Sequence, residues 1–84
     1  MDLHGLREGE ALERLGRWMR DAYARRYSCV QIITGQGHHS HSGIGVLQEA
    51  VDRWVRSDGQ RFVKEYGFAP ASQGGRGALV LYLR

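Results

Sequence analysis

Hydrophobic residues recur along the chain at two different spacings, which predict two helices among four strands. In residues 8–26 and 44–56 the apolar positions recur every three or four residues, the spacing of an amphipathic helix. Shorter segments alternate apolar and polar residues or are rich in β-branched residues, as strands are. The predicted strands span residues 1–4, 28–33, 61–66 and 78–83.

Each predicted helix has one apolar face that we expect to point into a core. In the first helix this face comprises Ala11, Leu12, Leu15, Trp18, Met19, Ala22 and Tyr23. In the second helix it comprises Leu47, Ala50, Val51 and Trp54. The positions expected to face outward from the second helix are Gln48, Glu49, Asp52 and Arg53. Such one-sided helices are typical of a layer packed against a sheet.

The element order β-α-β-α-β-β predicts a small two-layer α/β sandwich. Right-handed crossovers through the helices make the first three strands mutually parallel, and the last strand, which follows a loop without a helix, is then antiparallel. We therefore expect a four-stranded mixed sheet. Parallel strands end at the edge where the antiparallel strand begins, so residues 2–5, 34–43 and 73–77 should converge there. That edge is where open α/β sheets bind ligands.

Length and composition indicate one small folded domain. The chain has 84 residues, 42% of them hydrophobic and 25% charged, and no low-complexity stretch divides it. Residues 1–84 are therefore expected to form a single domain, either complete in itself or cut from a longer protein. No apolar stretch is long enough to cross a bilayer, and the first residues do not resemble a signal peptide. We expect a cytoplasmic location and no membrane partner.

The charge and the cysteine content exclude few partners or functions. The formal net charge is +3, from 12 Lys and Arg against 9 Asp and Glu, and nearly all the cations are arginine. Because arginine can bind phosphate through two N–H donors, this balance permits a nucleic-acid partner without requiring one. The single cysteine, Cys29, can form no internal disulfide and is expected to be a small buried residue of the second strand.

A glycine- and histidine-rich segment follows the second strand and contains most of the groups that could bind a ligand or take part in catalysis. It reads Thr34-Gly35-Gln36-Gly37-His38-His39-Ser40-His41-Ser42-Gly43. Backbone N–H groups in such a loop, with the start of the next helix, can bind an anion such as phosphate, and imidazoles can bind or move protons. A zinc site built from the three histidines is disfavoured, because no cysteine lies near and the spacing matches no usual zinc pattern.

Three motifs, in this order along the chain, resemble those of one known family, the Smr (small MutS-related) domain. Asp2-Leu3-His4-Gly5-Leu6 resembles the LDxHGL motif that opens the domain, and residues 34–37 resemble its TGxG motif. Residues 74–79 are similar to its closing glycine-rich turn and strand. The resemblance spans the whole chain. Two departures are Met1 in place of the usual Leu and Arg7 in place of the usual helix-capping Thr.

The resemblance implies a fold like the C-terminal domain of bacterial translation initiation factor three and a role on nucleic acid. Smr domains are linked to nicking of DNA, including branched DNA, and to endonucleolytic cleavage of RNA, including messenger RNA on stalled ribosomes. The resemblance therefore implies an endonuclease with nucleic acid, and in some members the ribosome, as partner. Carried over by motif, the site residues are Asp2, His4, Thr34, Gly35, Gln36, Gly37 and His39.

Phosphodiester cleavage gives each of these residues a possible task. His4 and His39 could form a base and acid pair around a phosphate, and Asp2 could orient an imidazole or hold a cation. The loop from Thr34 to His38 would surround the phosphate, with backbone amides as donors, and Arg76 would supply a cation for its oxygens. RNA carries its own nucleophile, the 2′-hydroxyl, and would need no metal. DNA needs an activated water, for which Mg²⁺ or Mn²⁺ is the usual answer.

A second function remains open from the sequence alone. The same residues could form a non-catalytic module that recognises a nucleic-acid backbone or the ribosome without cutting. Each candidate residue also has a structural explanation, since a carboxylate can fix a loop and glycines can simply provide positive φ angles. No aromatic residue is clearly placed for stacking on a base. We therefore expect recognition of backbone and shape more than of sequence.

Overall fold

The computed structural model describes residues 1–35 and 45–84, which form two helices on one face of a sheet. The elements are α1 (Glu8–Ala24), β1 (Cys29–Ile33), α2 (Val46–Arg56), β2 (Val63–Phe68) and β3 (Ala78–Leu83). Short 3-10 turns occur at Asp58–Arg61, Ala71–Gln73 and Gly75–Gly77. Within these described ranges, neither helix has the length and apolar character needed to cross a membrane.

The sheet has the strand order β1-β3-β2, with β3 in the centre and antiparallel to both neighbours. The strands β1 and β2 therefore point the same way, as the crossover argument predicts. The register pairs Ile33 with Ala78 and Phe68 with Leu79. All three strands thus have one of their ends at the edge of the sheet where β3 begins.

The expected four-stranded sheet is wrong for the part of the chain that the structure describes, where the sheet has three strands. The N-terminal segment makes only one parallel bridge, between Asp2 and Ile33. Two hydrogen bonds hold it, from Leu3 N–H to Ile33 O at 2.7 Å and from Ile33 N–H to Met1 O at 2.8 Å. Gly5, at φ +81°, then turns the chain away before a ladder can form. The likeness to initiation factor three remains a prediction.

Most element boundaries agree with the sequence prediction within two residues. The strand β3 has the predicted bounds, and α1 ends two residues early, at Ala24. The strand β2 lies two residues later than expected because a 3-10 turn, Asp58–Arg61, separates it from α2. Phe62 and Val63 are both buried, since the turn places Phe62 in the core before the strand begins.

The core lies between the helices and one face of the sheet. Along β3, Leu79, Leu81 and Leu83 are buried, whereas Val80 is half-buried and Tyr82 is exposed. This alternation shows that the helices cover one face and leave the other open. The helix residues that complete the core are Ala11, Leu15, Met19, Ala22, Leu47, Val51, Trp54 and Val55.

Two residues that the sequence assigned to the interior lie at the surface. Cys29 is exposed, and the prediction of a buried cysteine is wrong. The reason is its register, because Cys29 pairs with Tyr82 on the open face of the sheet. Tyr23 is 41% exposed and packs the edge of its ring on Phe62, with ring centroids 5.1 Å apart.

Candidate functional site

The first part of the candidate site is a hydrogen-bonded pair of side chains, Asp2 and His4. The bridge between Asp2 and Ile33 holds this segment beside the end of β1. One carboxylate oxygen of Asp2 accepts the backbone N–H of His4 at 2.9 Å and lies 3.1 Å from Nδ1 of the His4 imidazole. The side chains are 55% and 70% exposed, so a ligand can reach both.

This geometry keeps the Asp2 carboxyl charged and orients the imidazole of His4. The backbone N–H of His4 and, next, its imidazole lower the pKa of the Asp2 carboxyl below its ordinary value, which keeps it ionised near neutral pH. A neutral imidazole whose Nδ1–H points to a carboxylate keeps its lone pair on Nε2. Nε2 of His4 can therefore accept a proton from a bound group.

The second part is the junction between the end of β1 and the turn before β3. The carbonyl oxygen of Gly77 accepts the N–H of Thr34 at 2.9 Å and the N–H of Gly35 at 3.0 Å. Gly35 has φ +84°, and a Cβ built on it would lie 3.8 Å from Cβ of His4. The junction therefore brings the first motif, Thr34 and Gly35 of the second motif and the glycine-rich turn together, as the sequence predicts.

The structure gives Thr34 and Gly35 roles in this junction. Thr34 is buried, and its hydroxyl has the carbonyl oxygens of Gly35 and Gly77 within 3.2 and 3.5 Å. The Gly35 amide, which the sequence analysis offered to a phosphate, is already bonded to Gly77. In this conformation both residues shape the site and hold its strands together.

A buried glutamine on α2 fastens the junction from the helix side. Gln48 is only 7% exposed, so the expectation that it faces outward is wrong. Its side-chain amide donates to the carbonyl oxygen of Gly35 at 3.3 Å and to that of Arg76. The backbone carbonyls of the two loops supply the partners that a buried amide needs, which explains its inward position.

The third part of the site is an exposed arginine stacked on an exposed aromatic ring. The guanidinium carbon of Arg76 lies 5.4 Å from the ring centroid of Phe68, within the range of a cation–π contact. Phe68 is 52% exposed. The expectation that no aromatic residue is clearly exposed at the site is therefore wrong. The strand β2 runs two residues further than predicted and ends on Phe68, where the sequence predicts a loop.

Other predicted site residues lie outside the described ranges, namely Gln36, Gly37, His38 and His39. Their proposed roles stay predictions from the sequence. Within residues 1–35 and 45–84, no group of three or more His, Cys, Asp or Glu side chains is arranged to hold a metal ion. At the site itself these residues provide one carboxylate, Asp2, which is engaged with His4.

Sequence reasoning missed two residues of the site, Gln48 and Phe68. A polar residue among the apolar positions of α2 gives no signal of burial, because its partners are carbonyls of two distant loops. Phe68 follows Gly67, at which the sequence predicts the start of a loop. The alternation of Tyr66 and Phe68 on one face would have been the signal for a longer strand.

Comparison with known proteins agrees with this fold and these motifs. The family model described as the Smr domain matches residues 1–84. Endonuclease MutS2 of Lactobacillus johnsonii is 36% identical over 84 residues, which are 100% of this chain and 10% of that protein. The chain thus spans about a tenth of the length of this curated relative.

Two solved structures are similar over the whole chain. The crystal structure of the Smr domain of Thermus thermophilus MutS2 has a TM-score of 0.85 and 32% identity, with 100% of this chain and 95% of that chain covered. The crystal structure of YdaL, a stand-alone small MutS-related protein from Escherichia coli, has a TM-score of 0.89 and 26% identity, with 100% and 63% covered. With a family match over its full length, the chain belongs to the Smr domain family.

Proposed function

We propose that this domain is an endonuclease that cleaves phosphodiester bonds in nucleic acid, with Asp2 and His4 at the reacting centre. The observation that carries the proposal is the contact of 3.1 Å between the Asp2 carboxylate and Nδ1 of an exposed imidazole. An oriented, accessible imidazole is the arrangement a general base needs. The similarity to Endonuclease MutS2 supports the same class of activity.

The described residues fit cleavage of RNA best, because RNA provides its own nucleophile. Nε2 of His4 would take the proton of the 2′-hydroxyl, whose oxygen then attacks the adjacent phosphorus. The bond from phosphorus to the 5′-oxygen breaks, which leaves a 2′,3′-cyclic phosphate and a 5′-hydroxyl. Asp2 would hold the imidazole in place and stabilise its charge while it carries the proton.

Two further tasks belong to the arginine and to the loop. Arg76 lies at the same sheet edge and would bind a non-bridging oxygen of the phosphate, where negative charge grows during the attack. The 5′-oxygen needs a proton as it leaves, and His39 is our candidate for this acid from its motif position. Thr34 and Gly35 would keep the two halves of the site at a constant separation through Gly77.

Cleavage of DNA would place other demands on the site. DNA has no 2′-hydroxyl, so a water molecule must be activated, for which Mg²⁺ or Mn²⁺ is the usual means. In the described ranges, Asp2 alone does not make a cation site with His4 bonded to it. Our mechanism for RNA includes no metal step, because the 2′-hydroxyl supplies the nucleophile.

The test compares an RNA strand with the same strand carrying one 2′-deoxy residue at the cleavage position. We expect the domain to cut the RNA in EDTA, to leave a cyclic phosphate, and to leave the 2′-deoxy position intact. His4→Ala should lose about 100-fold or more in cleavage rate, as expected when a general base is removed. Asp2→Asn should also lose cleavage rate, since an amide neither stabilises the charged imidazole nor keeps its proton on Nδ1.

The control for these variants is Asp58→Asn, an exposed aspartate at the other end of α2. It should cleave like the wild type. Unchanged cleavage by His4→Ala, or cleavage at the 2′-deoxy position in EDTA, would contradict the proposed mechanism.

One observation favours a second function, binding of a nucleic-acid backbone or the ribosome without cleavage. The amide of Gly35 is bonded to Gly77 and is therefore not directed at a phosphate in this conformation. If the domain only binds, His4→Ala should keep the wild-type affinity, and Arg76→Ala should lose affinity. A wild-type domain that binds RNA but cuts none would decide for this second function.

A further inference from the structure

Phe68 has an unusual position for a large apolar side chain. It is the last residue of β2 and pairs with Leu79, so it lies on the face of the sheet that the helices cover. Leu79 is 6% exposed there, whereas Phe68 is 52% exposed. The ring therefore lies at the rim of the core, beyond the cover that α2 provides.

A small cavity lies beside this ring, between the first turns of α2 and the strand β2. Its volume is about 300 Å³, at the lower end of the range for small-molecule sites. Phe68 and Leu79 supply apolar walls, and Gln48, Glu49 and Asp52 lie on the helix side. The cavity thus combines a flat apolar surface with a few polar groups on one wall.

The cavity is continuous with the candidate site. Arg76 lies over the Phe68 ring, and its carbonyl is held by Gln48, which also binds Gly35. The residue after Phe68, Ala69, donates its N–H to Ala78 at 3.0 Å, beside the Gly77 carbonyl that binds Gly35. Two strand spacings, about 10 Å, therefore separate the end of β2 from the end of β1.

We propose that Phe68 and the cavity beside it bind one unpaired nucleobase of the nucleic acid whose backbone contacts Arg76. The inference rests on the proposed function only in that a nucleic-acid strand must bind at this edge. An aromatic ring with a neighbouring arginine is a surface on which bases stack, and stacking requires a free base face. A paired base inside a duplex cannot offer its face to the ring.

The charges around the cavity fit a base and not a second phosphate. Glu49 and Asp52 would repel a phosphate, but carboxylates accept hydrogen bonds from exocyclic amino groups of bases. Asp52 already accepts from Tyr66 and lies 3.3 Å from Arg56, which leaves Glu49 as the accessible carboxylate. The phosphate would lie towards Arg76 and the base towards α2.

The test measures binding of labelled single strands and duplexes of RNA and of DNA by fluorescence anisotropy. All proteins carry His4→Ala, so that RNA is not consumed. Phe68→Ala should weaken binding of both single strands about tenfold, as expected for one lost stacking contact, and change duplex binding less than twofold. Phe68→Tyr should bind like its parent. The control is Tyr82→Ala, an exposed aromatic at the other end of β3, which should have no effect.

A second measurement identifies the base itself. Abasic residues are placed one at a time along the single strand, and one position should cost as much affinity as Phe68→Ala. At that position Phe68→Ala should cause no further loss. The proposal would be overturned if no abasic position lowered the affinity more than the others. It would also be overturned if Phe68→Ala weakened binding of duplexes as much as of single strands, or weakened binding of only RNA or only DNA. Absence of cleavage by the domain with His4 intact would contradict only the nuclease, because these measurements report binding.

Discussion

A single buried amide, that of Gln48, connects two segments of the candidate site to the helix α2. Its side chain comes from α2 and binds one carbonyl after β1 and one before β3. Both carbonyls belong to glycine-containing segments, and a glycine-rich backbone loses much conformational freedom when it is ordered. The hydrogen bonds of Gln48 therefore hold these two segments in a fixed position relative to each other and to α2.

We expect Gln48→Met to destabilise the domain by about 1–3 kcal/mol, the usual effect of leaving buried polar groups without a partner. Methionine preserves the length and volume of glutamine, so the loss would report the hydrogen bonds and not a cavity. The measurement is urea denaturation followed by circular dichroism. The matched control is Gln60→Met, because Gln60 is an exposed glutamine. An equal effect of both substitutions would show that the bonds to Gly35 and Arg76 contribute little.

Among the helices and turns, the contact between Gly59 and Trp54 restricts how the chain passes from α2 to β2. A Cβ on Gly59 would lie 2.4 Å from the Trp54 ring, closer than any real contact of that kind. The Trp54 ring in turn stacks on Phe62, with centroids 6.4 Å apart. The glycine thus allows the 3-10 turn to pass directly over the indole ring.

We expect Gly59→Ala to destabilise the domain by about 1–3 kcal/mol through overpacking against Trp54. The comparison is Gly9→Ala in α1, where nothing lies within 4 Å of the added Cβ. Because alanine favours a helix over glycine, Gly9→Ala should be stabilising by up to about 1 kcal/mol. Thermal unfolding of both variants measures the two changes in stability, which should be opposite in sign. A neutral Gly59→Ala variant would mean that the indole ring can move aside at little cost.

Local patterns were sufficient to predict most elements of this fold, and contacts between distant segments account for the errors. The spacing of apolar residues predicted both helices and the observed bounds of β3, and the crossover argument predicted the directions of β1, β2 and β3. The strand predicted over residues 1–4 forms only one bridge, between Asp2 and Ile33, because it is too short for a ladder before Gly5 turns the chain away.

The candidate site also has one part that the sequence predicts and one part that depends on contacts between distant segments. The convergence of the Asp2–His4 segment with the end of β1 and the turn containing Arg76 follows from strand direction, which the sequence indicates. Gln48 and Phe68 were missed because the burial of one and the exposure of the other depend on segments far along the chain. Polar and aromatic residues of a site are therefore harder to predict than the motif residues.

For the molecule as a whole, the question is whether its net charge or the position of particular arginines controls binding of nucleic acid. The formal net charge is only +3, and several arginines are paired with carboxylates along the helices, such as Arg14, Arg17, Arg25 and Arg56. Arg76 instead lies over an aromatic ring at the site. A small net charge makes specific phosphate contacts the main source of affinity.

We therefore expect Arg76→Ala to reduce the salt dependence of single-strand binding, lowering the slope of log K against log salt by about 0.7, the value of one phosphate contact. The control is Arg25→Ala, which removes the same charge beyond the other end of α1, where Arg25 pairs with Asp21 at 3.0 Å. Its slope should stay close to that of the wild type. Both variants reduce the net charge by one, so equal changes in slope would show that net charge, and not the position of Arg76, controls the affinity.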